Sequence, residues 1–283
     1  MRAFKIVDVF TATPFKGNPV AIVMQADGLT DAQMQAIARW TNLSETTFHL
    51  APTLPDADYR LRIFTPRSEL PFAGHPTLGS AHALIEAGLV TPQDGRLVQE
   101  CAAGLVPVTT DGTTLELQLP PAHIRPLDME ERTRLSAILG GTPAEGQPPV
   151  LVDVGARWIV AELADAQTVL ALSPDLPGSA AMEHDLQVTG VTVFGRHDSG
   201  PSAYEVRSFA PGDGIAEDPV CGSGNGSVAA YLSARGDLAD GAGYVATQGR
   251  CVGRDGRISL RRAGDKIFVG GAAVTTVDGT VTL

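Results

Sequence analysis

Tyr204-Glu-Val-Arg-Ser-Phe-Ala-Pro211, continued as Gly212-Asp-Gly-Ile-Ala-Glu-Asp-Pro-Val-Cys-Gly-Ser-Gly-Asn-Gly-Ser-Val-Ala-Ala-Tyr-Leu232, is the stretch on which the fold turns. It reads as a strand over Tyr204 to Phe209, an acidic loop, and a glycine-rich turn into an apolar helix. The run Gly222-Ser223-Gly224-Asn225-Gly226 lets the backbone come close to another group. Amides at a helix start lack intrahelical partners and carry partial positive charge, which suits an anion. Glu217 and Asp218 precede that turn and Cys221 lies on it. Carboxylates, a thiol and a helix N-terminus in one short segment point to proton chemistry on an anionic small molecule.

Working outward, this segment has a counterpart upstream. Phe64-Thr65-Pro66 recurs as Phe209-Ala210-Pro211, and Gly79-Ser80 recurs as Gly226-Ser227, with the spacing two residues longer in the second copy. Each Gly-Ser sits inside an apolar helix that stops at a glycine, Gly88 or Gly236. Two long copies make a duplication, not a solenoid. Both helices have little polar face. Burying them calls for two mixed β-sheets, each curled around its own central helix. The expected lobes are 1–118, completed by a C-terminal strand at about 270–283, and 119–269. The active site is expected in the cleft between the lobes, where the helix starts converge.

The first copy follows the same order. Phe4 to Phe10 and Asn18 to Met24 read as strands around a Pro/Gly turn. Thr30-Asp31-Ala32-Gln33 forms a capping box for a helix that puts Met34, Ile37 and Ala38 on one face. Leu43 to Leu50 is strand-like, with Glu45 at its start. That glutamate is either a solvated strand end or a partly desolvated general acid/base whose pKa its apolar neighbours raise. Tyr59 to Thr65 is a strand leading to Ala73-Gly74-His75-Pro76, where Pro76 suits a first helical turn. His75 is either structural or held at a helix N-terminus for function. Further strands are expected at Val98 to Val108 and Thr114 to Leu119, a helix at Leu127 to Leu139, and strands at Val150 to Val154, Trp158 to Leu163 and Val188 to Phe194. A short helix closes at Met182 to Asp185, and short strands follow at Gly243 to Thr247, Gly249 to Val252 and Arg257 to Leu260.

The chain's 283 residues carry a net charge of −11 with no basic run, which argues against nucleic acid or an anionic membrane as partner. Cys101, Cys221 and Cys251 are odd in number and widely spaced, which favours reduced thiols in the cytoplasm over disulfides or zinc. The charged amino end does not read as a signal peptide, and no apolar run spans a bilayer. No nucleotide fingerprint or metal-ligand cluster is present, so neither organic cofactor nor metal is expected.

Asp8-Val9-Phe10, Phe15-x-Gly17-Asn18-Pro19, Ser44-Glu45-Thr46, Phe64-Thr65-Pro66, Ala73-Gly74-His75-Pro76-Thr77-Leu78-Gly79 and Glu217-Asp218-Pro219-Val220-x-Gly222-Ser223 together resemble the PhzF family of phenazine-biosynthesis isomerase-like proteins. The motifs extend over almost the whole chain. The resemblance implies an α+β, diaminopimelate epimerase-like fold of two pseudo-symmetric lobes, and a homodimer. It also implies a cofactor-free isomerase resembling that of trans-2,3-dihydro-3-hydroxyanthranilate, acting on a small cyclic or amino-acid-like carboxylate. By motif match, Glu45 is the acid/base, assisted by His75, Asp218 and Ser223. Gly74, Gly222, Gly224 and Cys221 are expected to line the substrate.

Cys221 aligns with Gly74 in the internal repeat and occupies the place of a catalytic cysteine in the related amino-acid epimerases. A thiol at a helix N-terminus has a lowered pKa and can act as a base. Two-base racemisation needs a second thiol, which Gly74 does not supply, so a small buried residue is the other reading. Three functions remain in view: a proton-shifting isomerase relying on Glu45, a cysteine-assisted epimerase relying on Cys221, and a ligand-binding or protein-binding member of the fold without turnover.

Overall fold

The computed structural model describes residues 1–283. The chain divides into two compact units, Met1–Leu117 with Gly270–Leu283, and Gln118–Val269.

In the first unit the strand Arg2–Val9 lies between the C-terminal strand Ala273–Val281 and the strand Asn18–Val23, antiparallel to both. Asn18–Val23 runs parallel to Thr46–Leu50, which is antiparallel to Tyr59–Phe64. Tyr59–Phe64 then runs parallel to Arg96–Cys101, and Gly104–Thr110 follows antiparallel. The second parallel pairing needs a crossover, and the helix Gly74–Glu86 provides it. Nine of its residues are buried, His75 to Ala81 with Ala83 and Leu84, so it is apolar nearly all round. Gly79 makes that packing possible: a Cβ there would collide with Val20 and come within 2.9 Å of Val9. The helix's buried hydroxyls find partners on the sheet. Ser80 meets Thr47 at 2.8 Å, and Thr77 accepts from Gln99 at 3.0 Å. The other crossover, helix Asp31–Thr41, begins with the expected capping box of Thr30 and Gln33 and buries Met34, Ile37 and Ala38.

The second unit repeats the series. His123–Pro126 and Val150–Asp153 are antiparallel, as are Val150–Asp153 and Arg157–Glu162. Arg157–Glu162 is parallel to Gly190–Arg196, which is antiparallel to Tyr204–Ala210. Tyr204–Ala210 is parallel to Gly243–Gln248, and Gly256–Ala263 closes the series antiparallel. The central crossover is the helix Gly222–Ala234. Gly226 plays the part of Gly79, since a Cβ there would strike the Leu119 side chain. Each unit is therefore a mixed sheet with a buried helix, an α+β arrangement.

Several elements differ from their sequence reading. Val98 to Val108 is two strands, because Ala102 and Ala103 make a tight turn between Cys101 and Gly104. The acidic loop contains a short strand, Ile215–Asp218, that pairs back on Tyr204–Ala210. Arg250–Val252 is a 3-10 turn bounded by left-handed Gly249 and Gly253, where a strand was expected. The helix ending near Asp185 begins at Leu176 and is preceded by another, Ala166–Ala171.

Candidate active site

Glu45 stands immediately before the strand Thr46–Leu50, and its carbonyl accepts from Ala21 N at 3.4 Å. That bond fixes Glu45 at the end of the parallel neighbour. His75 is in the first turn of the helix Gly74–Glu86, whose N-cap residue Ala73 has no side chain to satisfy the first amides. Packing of Gly79 on Val9 and Val20 sets the helix's height over the sheet, so His75, one turn earlier, meets Glu45. His75 Nε2 lies 3.3 Å from Glu45 Oε2, with the two side chains 9% and 14% exposed. Glu45 Oε2 accepts no hydrogen bond of good geometry. Burial raises the Glu45 carboxyl to about 7, outweighing the lowering effect of its hydrogen bond with Ser44. Such a carboxyl takes and returns protons at neutral pH with little cost in either direction. In front of Gly74 the space is open, an added Cβ meeting nothing within 4 Å.

The second unit gathers the other predicted residues around one helix start. Cys221 is the N-cap of Gly222–Ala234, and its sulfur accepts from Gly224 N at 3.2 Å. Ser223 accepts from Trp158 Nε1 at 3.0 Å, and its hydroxyl lies 3.7 Å from the Cys221 sulfur. Asp218 ends the short strand, where its Oδ1 accepts from Val220 N at 3.0 Å. Gly222 is the first, buried residue of the helix. Gly224 is required by the protein's own packing: a Cβ would fall 2.6 Å from the Ser208 hydroxyl and 2.7 Å from that of Thr192.

The lowered pKa expected for Cys221 is not what its surroundings produce. Burial, with the Asp218 charge adding to it, pushes the thiol well above its ordinary value. Desolvation outweighs the helix start, so the sulfur is a neutral cap and not a thiolate. Glu217 is committed to a buried ion pair with Arg207. Arg207 grips it through two nitrogens at 3.1 and 2.8 Å and also donates to the carbonyls of Val169 and Leu172.

Sequence reasoning passed over Gln248, the organising residue of this second cluster. Fully buried, it accepts from Cys221 N (3.1 Å) and Asn225 Nδ2 (2.7 Å) and donates to the Asp218 carbonyl (2.9 Å). A polar residue ending a strand just before Gly249 was the available signal. It is silent without knowledge of the pairing. No group of three His, Cys, Asp or Glu side chains is arranged to hold a metal ion, and no helix is long and apolar enough to cross a membrane.

This is the diaminopimelate epimerase-like fold class, and the same fold is found in structures of a probable proline racemase of Agrobacterium radiobacter and a hydroxyproline epimerase of Agrobacterium vitis, each 16% identical, with TM-scores of 0.67 and 0.64. Within that class, the chain belongs to the family of phenazine biosynthesis-like proteins (PhzC-PhzF), whose pattern it matches over residues 7–279. It is similar to "Antisense-enhancing sequence 1" of Schizosaccharomyces pombe, with 41% identity over 98% of each chain. It is also similar to trans-2,3-dihydro-3-hydroxyanthranilate isomerase of Pseudomonas aeruginosa, with 34% identity over 93% of this chain and 91% of the other. The crystal structure of a PhzF-family protein of Bacillus anthracis superposes with a TM-score of 0.89 at 24% identity, covering 100% of this chain and 99% of the other.

Proposed function

We propose that the protein is a cofactor-independent isomerase that moves a proton within a small cyclic or amino-acid-like carboxylate, in the manner of trans-2,3-dihydro-3-hydroxyanthranilate isomerase, with Glu45 as the general acid/base. The observation that carries this is the buried Glu45 carboxyl, raised to about 7 and left with an open Oε2 beside His75. The ionised carboxylate takes a proton from a C–H bond whose electron pair delocalises into the adjacent unsaturation. The same carboxyl, now protonated, returns the proton at another carbon, so no electron or proton is gained or lost overall. His75 orients the carboxyl and bears on its charge. Asp218 and Ser223 are proposed to hydrogen-bond polar substrate groups, and the uncapped start of Gly74–Glu86 to favour the substrate's negative charge. The name of the Pseudomonas relative supports the substrate class. A homodimer working in the cytoplasm without metal completes the proposal.

The greater identity to the fission-yeast protein, whose name states no reaction, favours a second reading in which the scaffold binds a ligand without turnover. Incubation with trans-2,3-dihydro-3-hydroxyanthranilate and a panel of amino acids in D2O, followed by NMR, separates these. Isomerisation or deuterium uptake by the dihydro acid is expected, lost by about 10²-fold or more in Glu45→Gln and kept in Cys221→Ser. Exchange at an amino acid's α-carbon that disappears in Cys221→Ser would replace the proposal with the cysteine-assisted epimerase. Silence across the panel would favour the binding role.

A further inference from the structure

Three buried polar side chains of the first unit join in one chain of hydrogen bonds. Tyr59 Oη donates to Gln99 Oε1 at 3.3 Å, Gln99 Nε2 donates to Thr77 Oγ1 at 3.0 Å, and Thr77 Oγ1 donates to the Ala73 carbonyl at 2.9 Å. All three residues are fully buried. The chain runs one way. Burial pushes the Tyr59 phenol well above its ordinary value, so it stays a donor. Its acceptor is the Gln99 amide oxygen, which turns the amide nitrogen toward Thr77. Thr77 accepts from Gln99 and gives its own proton to Ala73.

The chain starts on the sheet and ends at the first turn of the central helix. Tyr59 and Gln99 are opposite one another in the parallel pair Tyr59–Phe64 and Arg96–Cys101. Ala73, the N-cap of Gly74–Glu86, makes no side-chain cap, and glycine follows it with low helix propensity. Such a start frays unless something fastens it. Here Gln99 ties Thr77 to the sheet, and Thr77 holds Ala73 through its amide, at 3.2 Å, as well as its hydroxyl. His75 lies between those two fastened residues, 3.3 Å from Glu45. The second unit uses the same device. Its buried Gln248 is on Gly243–Gln248, the strand that holds the matching place in the pairing series. It accepts from the N-cap amide of Cys221 and from Asn225 one turn on.

We infer that Gln99 is a positioning residue for the Glu45 proton transfer: by way of Thr77 it holds the first turn of Gly74–Glu86, so that His75 stays against the Glu45 carboxyl. This rests on the acid–base reading for its effect on turnover, but the hold on His75 can be read without turnover.

Gln99→Leu alone would leave the buried Tyr59 hydroxyl without an acceptor. The variant to test is therefore Tyr59→Phe with Gln99→Leu, which removes both partners and should melt close to wild type. Tyr59→Phe alone, which keeps Gln99 on Thr77, is its stability control. In ¹⁵N-histidine-labelled protein the ring signals of His75 are identified by their loss in His75→Asn. They should follow the Glu45 titration in wild type and stay still in Glu45→Gln. In the double variant they are expected to shift and to follow Glu45 less. With the dihydro acid, the double variant should lose about 10-fold in kcat and keep KM within about 2-fold. When His75→Asn is already present, the same pair of substitutions should cost little more, because Gln99 acts through His75. A glutamine that served stability alone would add its loss to that of His75→Asn. Unchanged His75 signals in the double variant, wild-type signals that ignore Glu45, or an additive kcat loss overturns the positioning role. So does a double variant that melts far below wild type, which would make the chain a folding device. If wild type fails to turn over the dihydro acid, yet the ring signals respond as expected, the acid–base reading falls and the hold of Gln99 on His75 stands.

Discussion

Glu45 is the residue at which stability and chemistry pull in opposite directions. Its ordinary value is 4.5 and its folded value about 7, so between those limits the folded chain holds a proton that the unfolded chain has released. Stability therefore falls as pH rises through that window and levels off above it. The shift corresponds to roughly 3 kcal/mol as an upper bound. Glutamine keeps the shape and cannot ionise. Glu45→Gln should therefore be more stable than wild type by ~1–3 kcal/mol at pH 8 and indistinguishable from it at pH 4. Thermal melts at both values check this, and a variant no more stable at pH 8 would mean that the carboxylate is solvated. The identity of this residue was legible in the sequence, since Ser44-Glu45-Thr46 and Gly74-His75-Pro76 stand out as motifs. That the two meet at 3.3 Å was not, because it depends on the height at which a helix settles on a sheet. Cys221 shows the converse. Its position at a helix start was legible, but its protonation is set by burial and by Asp218, and these reverse what the helix start alone suggests.

At the scale of elements, each unit is built on one buried helix whose approach to the sheet is limited by a single glycine. Gly79 and Gly226 both have helical backbone that any residue adopts, so their need is spatial: a Cβ at 79 meets Val20 and Val9, and one at 226 meets Leu119. Gly79→Ala and Gly226→Ala should each destabilise by about 1–3 kcal/mol through overpacking, despite alanine's better helix propensity. Denaturant titration checks this, and a neutral or stabilising Gly79→Ala would show that the helix can lift without loss. In Gly79→Ala the lift also moves His75, so activity should fall further than stability explains. The Gly-Ser repeat carried this much of the fold in plain sight. What the sequence hid were elements without a period of their own. Ile215–Asp218 is four residues among acidic and glycine neighbours, recognisable only by its pairing with Tyr204–Ala210. The break at Ala102 and Ala103 has no Asn or Asp to mark it, Pro107 lies inside the following strand and not at the turn, and the turn is closed by Gly104 at positive φ.

For the whole molecule, the two units share one pairing series, yet they are assembled differently from the chain. The second is continuous, Gln118–Val269, whereas the first borrows its outer strand from the far end of the sequence. Ala273–Val281 pairs along the full length of Arg2–Val9, in the place that His123–Pro126 fills beside Val150–Asp153. The joint is also ionic. Lys5, 6% exposed, bridges Glu86 on the central helix at 2.8 Å and Asp278 on the borrowed strand at 2.7 Å. Thr275 donates to the same Glu86 at 2.7 Å, and Thr11 N donates to the Ala272 carbonyl at 3.1 Å. Deleting residues 272–283 removes every one of these bonds except Lys5–Glu86 and opens Arg2–Val9 along one edge. With roughly 1 kcal/mol per backbone hydrogen bond, the first unit should lose at least ~3 kcal/mol. The second unit loses none of its strand pairing. Hydrogen exchange read by mass spectrometry resolves the two. Amides of Arg2–Val9 and Asn18–Val23 are expected to lose protection in the truncated chain, while those of Tyr204–Ala210 keep theirs. Equal loss in both would mean that the units unfold as one cooperative body, and that the borrowed strand fastens the second unit as firmly as the first.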